Sequence, residues 1–294
     1  MNQFTIKDIE NLCGIKAHTL RTWEQRFELF VAKRKESNQR VYDDEDLKQL
    51  LRISFLYHSG YKISGIARLS HEEIQRTVEA SCLKEDNPEI FIHQLIAASI
   101  DLDEERFEKL INCLVLRIGI EKCISNVFYP FLQRIGLLWM NGHVIPAQEH
   151  FSSHIIRKKI ICAIDGLESK RQSSQTILLF APAGEFHEIP LLAANYFFKK
   201  NKISTVYFGV NVSLEVIEYY MLHHKVTHVY SHVITYLNNP GLENVTCGLC
   251  KKFPGKTIIL SGPACKCFEN KPPNLQLLHS LEELVGYAES VNGP

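Results

Sequence analysis

The feature that most limits how this chain can fold is a change in hydrophobic period across residues 168–175. Upstream, the segments FIHQLIAASI, FEKLINCLVLRIGI, SNVFYPFLQRIGLLW and EHFSSHIIRKKIICAI carry apolar residues at helical spacing. After the polar stretch ESKRQSSQ, the apolar residues instead come in short runs: TILLFAP, STVYFGV, THVYSHV, TIILSGP and LQLLHS. Near-continuous apolar runs, several of them separated by helical patterns such as IPLLAANYFFKKN and SLEVIEYYMLHH, predict a parallel sheet covered on both faces.

Five such runs closed by LEELVGYAES predict a flavodoxin-like (Rossmann-like), doubly wound parallel sheet over 175–294. The four helical segments before it predict an antiparallel four-helix bundle over 86–168. Residues 1–78 differ from both, with short helical patterns interrupted by the basic, turn-rich KRKESNQR at 33–40. The expected architecture is therefore multidomain, α followed by α/β.

Composition narrows the function. Lys and Arg number 33 and Asp and Glu number 33, so a uniformly basic nucleic-acid coat is excluded while a local basic patch is not. Hydrophobic residues at 45% and charged residues at 22% are values of a folded chain, not of a mainly disordered one. No stretch approaches the roughly 20 apolar residues that span a bilayer, so no membrane partner is expected. The opening residues MNQFTIKDIENL place charges where a signal peptide needs an apolar core. With nine cysteines and no secretion signal, a reducing cytoplasmic setting is the expectation.

The first 27 residues read as helix, Gly14-containing turn and second helix, with Thr5 able to cap the first. On the second helix Arg21 and Arg26 project near Trp23, with His18, Thr19 and Thr22 close by. From Lys16 to Arg40 there are seven cationic residues against three acidic ones. A helix offering arginines to a major groove, followed by a basic hairpin on the phosphates, is how a winged helix-turn-helix binds DNA. The residue order TIKDI (5–9), TLRTWEQRF (19–27), NQRVY (38–42) and EDL (45–47) resembles the MerR family over about residues 4–70. The resemblance implies that Arg21, Trp23 and Arg26 lie on the recognition helix, and Arg34, Arg40 and Tyr42 in the wing and its base. It also implies a dimer on double-stranded, (pseudo)palindromic operator DNA. Glu28 and Val31-Ala32-Lys33 depart from the family pattern, which has Gly-Leu and a Pro there.

Beyond the first apolar run of the parallel domain lies APAGEFHEI (181–189), in the loop where open parallel sheets hold ligands. His187 there can offer a ring nitrogen to a metal while Glu185 orients the other nitrogen; taken alone, a histidine so placed is more often a cap or solvent-exposed residue. Upstream, Trp139 is followed by Glu149 and His150, residues that individually suit packing and capping. Together, W-x9-E-H in a bundle and E-x-H at the first turn of a doubly wound domain resemble the cobalamin-binding half of the CarH/LitR-type photoreceptor repressors, in the same domain order. By that resemblance His187 is the lower axial ligand of cobalt, and Trp139, Glu149 and His150 cover the upper face. Ser231 and Gly262 stand at the small-residue positions around the cofactor's nucleotide tail.

The resemblance implies a non-enzymatic transcriptional repressor that holds adenosylcobalamin, or methylcobalamin, and is a tetramer on DNA in the dark. Light then removes the upper ligand and dissociates the assembly. Departures are Pro190 for a glycine, Ser231-His232-Val233 for S-x-L, Ser261-Gly262 for Gly-Gly, and Met140 where some members carry a second cobalt-binding histidine. His143 and His154 are candidate substitutes for the last. Two alternatives stand beside this reading. One is a MerR-class regulator that keeps the fold without cobalamin, which the Pro190 and Ser261 departures suggest. The other is a corrinoid methyl-transfer carrier, on which a DNA-binding head is not expected. Cys247, Cys250, Cys265 and Cys267 offer a possible zinc spacing, C-x2-C-x14-C-x-C, or simply packing thiols.

Overall fold

The structure is a computed structural model; it describes residues 3–30, 32–34, 40–82, 88–140, 144–168, 174–235, 240–263, 265, 268 and 271–291. Lys35, Glu36, Asn38, Gln39, His143 and Cys267 lie outside the described residues. The chain divides into two compact units, Met1–Ile155 and Ile156–Pro294, which groups the amino-terminal head with the bundle up to the middle of its last helix.

The first unit begins with β1 (Phe4–Thr5), α1 (Ile6–Cys13), α2 (Ala17–Phe27), β2 (Lys33–Arg34), β3 (Arg40–Tyr42), α3 (Asp44–His58), α4 (Ile63–Ile66) and α5 (His71–Cys82). The strands pair antiparallel in the order β1-β3-β2. Thr5 and Asp8 form a reciprocal capping box at the start of α1, and Asp43 and Asp46 form another on α3. These boxes set where each helix begins. The apolar side chains of Phe4, Ile9, Leu12, Leu20, Trp23, Leu47 and Phe55 are all buried, giving the head its core.

The bundle comprises α6 (Pro88–Asp101), α7 (Glu104–Cys123), a five-residue π-helical turn (Ile124–Phe128), α8 (Tyr129–Met140) and α9 (Pro146–Asp165). Helix α6 is buried on every side from Ile90 to Ile100, as its apolar composition requires. The α7 stretch bends at Gly119, whose φ of 79° and ψ of 158° leave the helical region; only glycine takes such a conformation without strain. Pro130 has no N–H for helical bonding, and the wider π register sits just before it. Head and bundle pack through α3 against α6. Lys48, buried on α3, bonds Asp101 at the end of α6 at 2.6 Å and Glu45 at 2.5 Å.

The second unit contains β4 (Thr176–Pro182), α10 (Glu188–Lys200), β5 (Ser204–Val212), α11 (Leu214–His223), β6 (His228–His232), α12 (Pro240–Lys252), β7 (Thr257–Ser261), β8 (Leu275–Leu278) and α13 (Leu281–Ser290). The five strands are all parallel, in the order β5-β4-β6-β7-β8. The order reverses between β4 and β6. The loops leaving these two strands therefore flank the crevice where a doubly wound sheet receives its ligand. Leu178, Phe180, Val229, Ile258 and Leu260 form a core with Ile217, Leu242 and Leu249 on the α11 and α12 side.

Candidate functional site

At the switch point, the loop after β4 is organised around one carboxylate. Glu185 is completely buried. Its Oε1 accepts from the His187 backbone N–H at 3.1 Å and lies 2.5 Å from His187 Nδ1. Its Oε2 accepts from the N–H groups of Ile234 and Thr235, at 2.7 and 2.9 Å, and from Thr235 Oγ1 at 2.9 Å. Burial by itself would push this carboxyl up, but the hydrogen bonds from His187, Thr235 and Ile234 outweigh it and hold Glu185 well below the usual carboxylate range. The ionised side chain thus clamps the loop after β4 to the loop after β6, across the crevice.

Asn211, the next-to-last residue of β5, anchors the other side. Its Oδ1 accepts from Gly184 N–H at 2.9 Å, and its own N–H donates to Glu185 O at 3.1 Å. With Glu185 accepting from Nδ1–H, the neutral His187 ring carries its lone pair on Nε2. The ring is about half exposed, and Phe186 beside it is 66% exposed. His187 caps α10, and Pro190 is the third residue of that helix, where no intrahelical N–H is required. Glu188 pairs with Arg157 at 3.0 Å and accepts from the Tyr207 hydroxyl at 3.2 Å.

Ser231 and Gly262 do not converge with this pair as a matched set. The Ser231 side chain points into a small, mostly apolar cavity lined by Phe180, Leu214, Leu242, Thr246, Leu249 and Leu260, on the α12 side of the sheet. It is buried there with no hydrogen-bond partner among the described residues. Gly262 has a φ of +98°, and a Cβ on it would lie 2.5 Å from the Val233 carbonyl oxygen. The chain's own backbone therefore demands this glycine, whatever else it does. On the opposite sheet face Ser261 Oγ meets Tyr230 at 2.6 Å and His232 Nδ1 at 2.7 Å. The sequence alone did not single out Asn211, Thr235 or Tyr230.

In the first unit, Trp139 lies on α8 and is half exposed, with Met140 next to it more so. Glu149 and His150 occupy the first turn of α9, where Glu149 Oε2 lies 3.0 Å from His150 Nδ1 and the imidazole is largely exposed. Leu137 and Ile145 add exposed apolar surface on the same unit.

In the head, α2 presents His18, Arg21, Thr22 and Arg26 to solvent, with Thr19 half-buried. Trp23 corrects its expected place on the reading face. Its indole is buried and packs edge-on against Tyr57, 4.9 Å between centroids, because position 23 continues the inward stripe begun by Leu20. Tyr42 is likewise a core ring, its hydroxyl pushed up to about 12 by burial. Arg40 is engaged by Glu24 at 2.9 Å, an ion pair that ties β3 to α2. Arg34 pairs with Arg40 across β2 and β3. Glu28 ends α2 in the left-handed region, φ 49°, where the family pattern has glycine.

Cys250 and Cys265 pack in the core of the second unit. Cys250 is buried and pushed up to about 11 by that burial, while Cys265 Sγ lies 3.2 Å from the Leu260 carbonyl. Among the described residues no cluster of three or more His, Cys, Asp or Glu could hold a metal ion, and no helix is long and apolar enough to cross a membrane.

These parts define a class: a winged helix-turn-helix head, a helical bundle and a doubly wound sheet with an imidazole–carboxylate pair at its switch point. Comparison with known families agrees. Residues 4–73 match the MerR HTH family regulatory protein model, and residues 91–162 match the B12 binding domain. Among curated proteins, the chain is 24% identical over 197 residues to the HTH-type transcriptional repressor CarH of Myxococcus xanthus, covering 65% of each. It is 25% identical over 198 residues to the repressor CarA of the same organism, covering 66% of this chain and 64% of CarA. The chain thus spans just under two thirds of these relatives' length. Among solved structures, a monomethylamine corrinoid protein of Methanosarcina barkeri superposes with a TM-score of 0.56 at 15% identity, over 67% of this chain and 96% of that one, a likeness of fold. The chain carries a MerR helix-turn-helix and a B12-binding domain and is homologous to the CarH and CarA repressors.

The pair would suit a metal already held in a macrocycle, which can accept one protein ligand: the half-exposed His187 ring has Nδ1 against a buried carboxylate and would turn Nε2 to the metal.

Proposed function

We propose that this protein is a DNA-binding transcriptional repressor, working in the cytoplasm, that senses light through adenosylcobalamin. The observation that carries this reading is the Glu185–His187 pair at the switch point, in a chain that also bears a MerR head. His187 would hold the cobalt through Nε2, and Glu185 would position it by fixing its tautomer and the loop around it. The resemblance further implies roles in holding the cofactor for Trp139, Glu149 and His150 of the bundle. When bound, adenosylcobalamin supplies a photolabile cobalt–carbon bond whose breakage removes the upper ligand. The reading asks of the protein only that the loaded, dark form favour one assembly state, a tetramer, over another. Such a bias requires differential binding of the cofactor to the two states. The head docks Arg21 and Arg26 of α2 on operator DNA, with the wing on the phosphates.

A second reading, a regulator that keeps the fold without cobalamin, is favoured by Ser261, which stands where the family pattern has glycine and whose hydroxyl contacts Tyr230 and His232. One experiment separates the two. The protein is purified in darkness with adenosylcobalamin, and its visible spectrum and elution volume are recorded before and after green light. The sensor reading expects a coloured protein whose size changes on illumination. A colourless eluate of constant size refutes it in favour of the second reading. Retention of both cofactor and light response by His187→Ala refutes the axial assignment.

A further inference from the structure

We propose that Glu24 is a positioning residue for DNA binding, which holds the Arg40 guanidinium so that its Nη groups meet a backbone phosphate beside the groove that α2 enters. The inference rests on the DNA-binding part of the reading above. It requires neither the light response nor the cobalt ligand.

A loose carboxylate on a DNA-reading helix works against binding, because it repels phosphate and competes for the neighbouring cations. Glu24 stands three residues after Arg21, on the same side of α2. Both of its oxygens are engaged by the hairpin. Oε1 accepts from the Ala32 N–H at 3.2 Å, and Oε2 accepts from Arg40 Nε–H at 2.9 Å. Ala32 immediately precedes β2 and Arg40 opens β3, so one side chain of α2 holds both strands. A second ion pair, Lys33 with Asp43, ties β2 to the N-cap of α3. The Glu24 and Arg40 side chains are only 16% and 23% exposed, whereas Arg21 and Arg26 face solvent.

The contact also fixes a direction. A guanidinium carries five N–H donors in one plane. Glu24 takes the single donor on Nε, which orients that plane and leaves the Nη donors to other acceptors. The Tyr42 phenol feels the charges of Glu24, Arg40 and Arg21 together, so the two arginines share one corner of the head. One guanidinium exposed on α2 and a second held in a set orientation beside it suit a groove edge and its flanking phosphate.

The test uses the full-length protein in darkness with adenosylcobalamin supplied. The probes are two labelled duplexes, one selected from a random pool by the unaltered protein and one unrelated to it. Affinity is read by fluorescence anisotropy over a range of salt. Charge counting alone says that Glu24→Gln, which removes a negative charge and keeps an acceptor for Ala32, binds more tightly. Positioning says the reverse: binding about tenfold weaker on both duplexes, with a plot of log affinity against log salt shallower by about 0.9, one phosphate contact. Arg40→Ala should match that loss, and once Arg40 is gone Glu24→Gln should change affinity by less than about twofold. Arg40→Lys keeps the charge but has no Nε–H to give Glu24, so it too should weaken binding on both duplexes. Equal or tighter binding by Glu24→Gln overturns the inference, as does a loss confined to the selected duplex or one repeated in full on the Arg40→Ala background. Should Glu24→Gln not fold, Arg40→Lys decides: parental affinity overturns the inference and a loss on both duplexes supports it. If the unaltered protein retains no duplex from the pool, the DNA-binding reading falls and this inference with it.

Discussion

Replacing Glu185 by Gln tests the central element of the site, because it exchanges one acceptor oxygen for a donor amide with almost no change of shape. The carboxylate serves five donors among the described residues: two on His187, the N–H groups of Ile234 and Thr235, and the Thr235 hydroxyl. If the amide keeps its oxygen toward Ile234 and Thr235, its NH2 faces the His187 N–H, which loses its acceptor in a buried place. It also faces Nδ1, which can pair with it only by becoming the unprotonated nitrogen. Losing charge-assisted bonds and stranding one N–H costs about 3 kcal/mol. For a unit of this size that is a fall of roughly 6–12 °C in melting temperature.

The same change should move the imidazole proton to Nε2, visible in the nitrogen chemical shifts of His187. The pH dependence has a definite sign. The folded-state pKa of Glu185 lies below its unfolded value, so its contribution is complete above about pH 4.5 and is lost only as acid approaches the folded value. The deficit of the Gln variant should therefore be full at pH 7 and shrink on strong acidification. An unchanged melting temperature at pH 7 together with an unchanged tautomer would refute the clamp.

Arg21→Ala should weaken binding to a duplex selected from a random pool by about tenfold or more, measured by fluorescence anisotropy; equal affinity at physiological salt removes α2 as the reading helix. Glu28→Gly relieves a left-handed residue at the end of α2 and should stabilise the first unit by about 1 kcal/mol in urea unfolding followed by circular dichroism; a loss of stability contradicts the strain. His93 is buried on α6, its imidazole pushed down to about 3 by burial, with Arg134 and His58 adding to the effect. The unfolded chain takes up this proton below about pH 6.5 and the native one does not, so stability present above that pH drains away on acidification. His93→Leu should flatten the acid limb of the unfolding curve relative to the parent between about pH 6.5 and 3; superimposable limbs count against it.

The architecture was legible because it rests on local periodicity. The switch from helical to strand spacing at 168–175 separates bundle from sheet, and each apolar run named above lies in one of the five parallel strands. The helix-turn-helix was legible from residue order, and the Glu185–His187 pair from its place in the loop after the first strand of the sheet. Other features depend on which face a side chain takes. Trp23 looks like a DNA contact beside Arg21 and Arg26 until the helix is packed and its indole turns to Tyr57. Ser231 looks like a partner of Gly262 until strand alternation sends it to the opposite side of the sheet from Ser261.

The amino-acid order alone determined the succession of head, bundle and doubly wound sheet, since helix and strand spacing, caps and turn residues act over a few neighbours. It also placed Glu185 two residues before His187. Only the tertiary structure decided that this carboxylate also holds Ile234 and Thr235, about fifty residues away, and that Asn211 braces the same loop from β5. The reason is physical: a parallel sheet brings together the ends of strands that are distant in sequence, and hydrogen-bond partners across such a crevice leave no periodic mark on the chain.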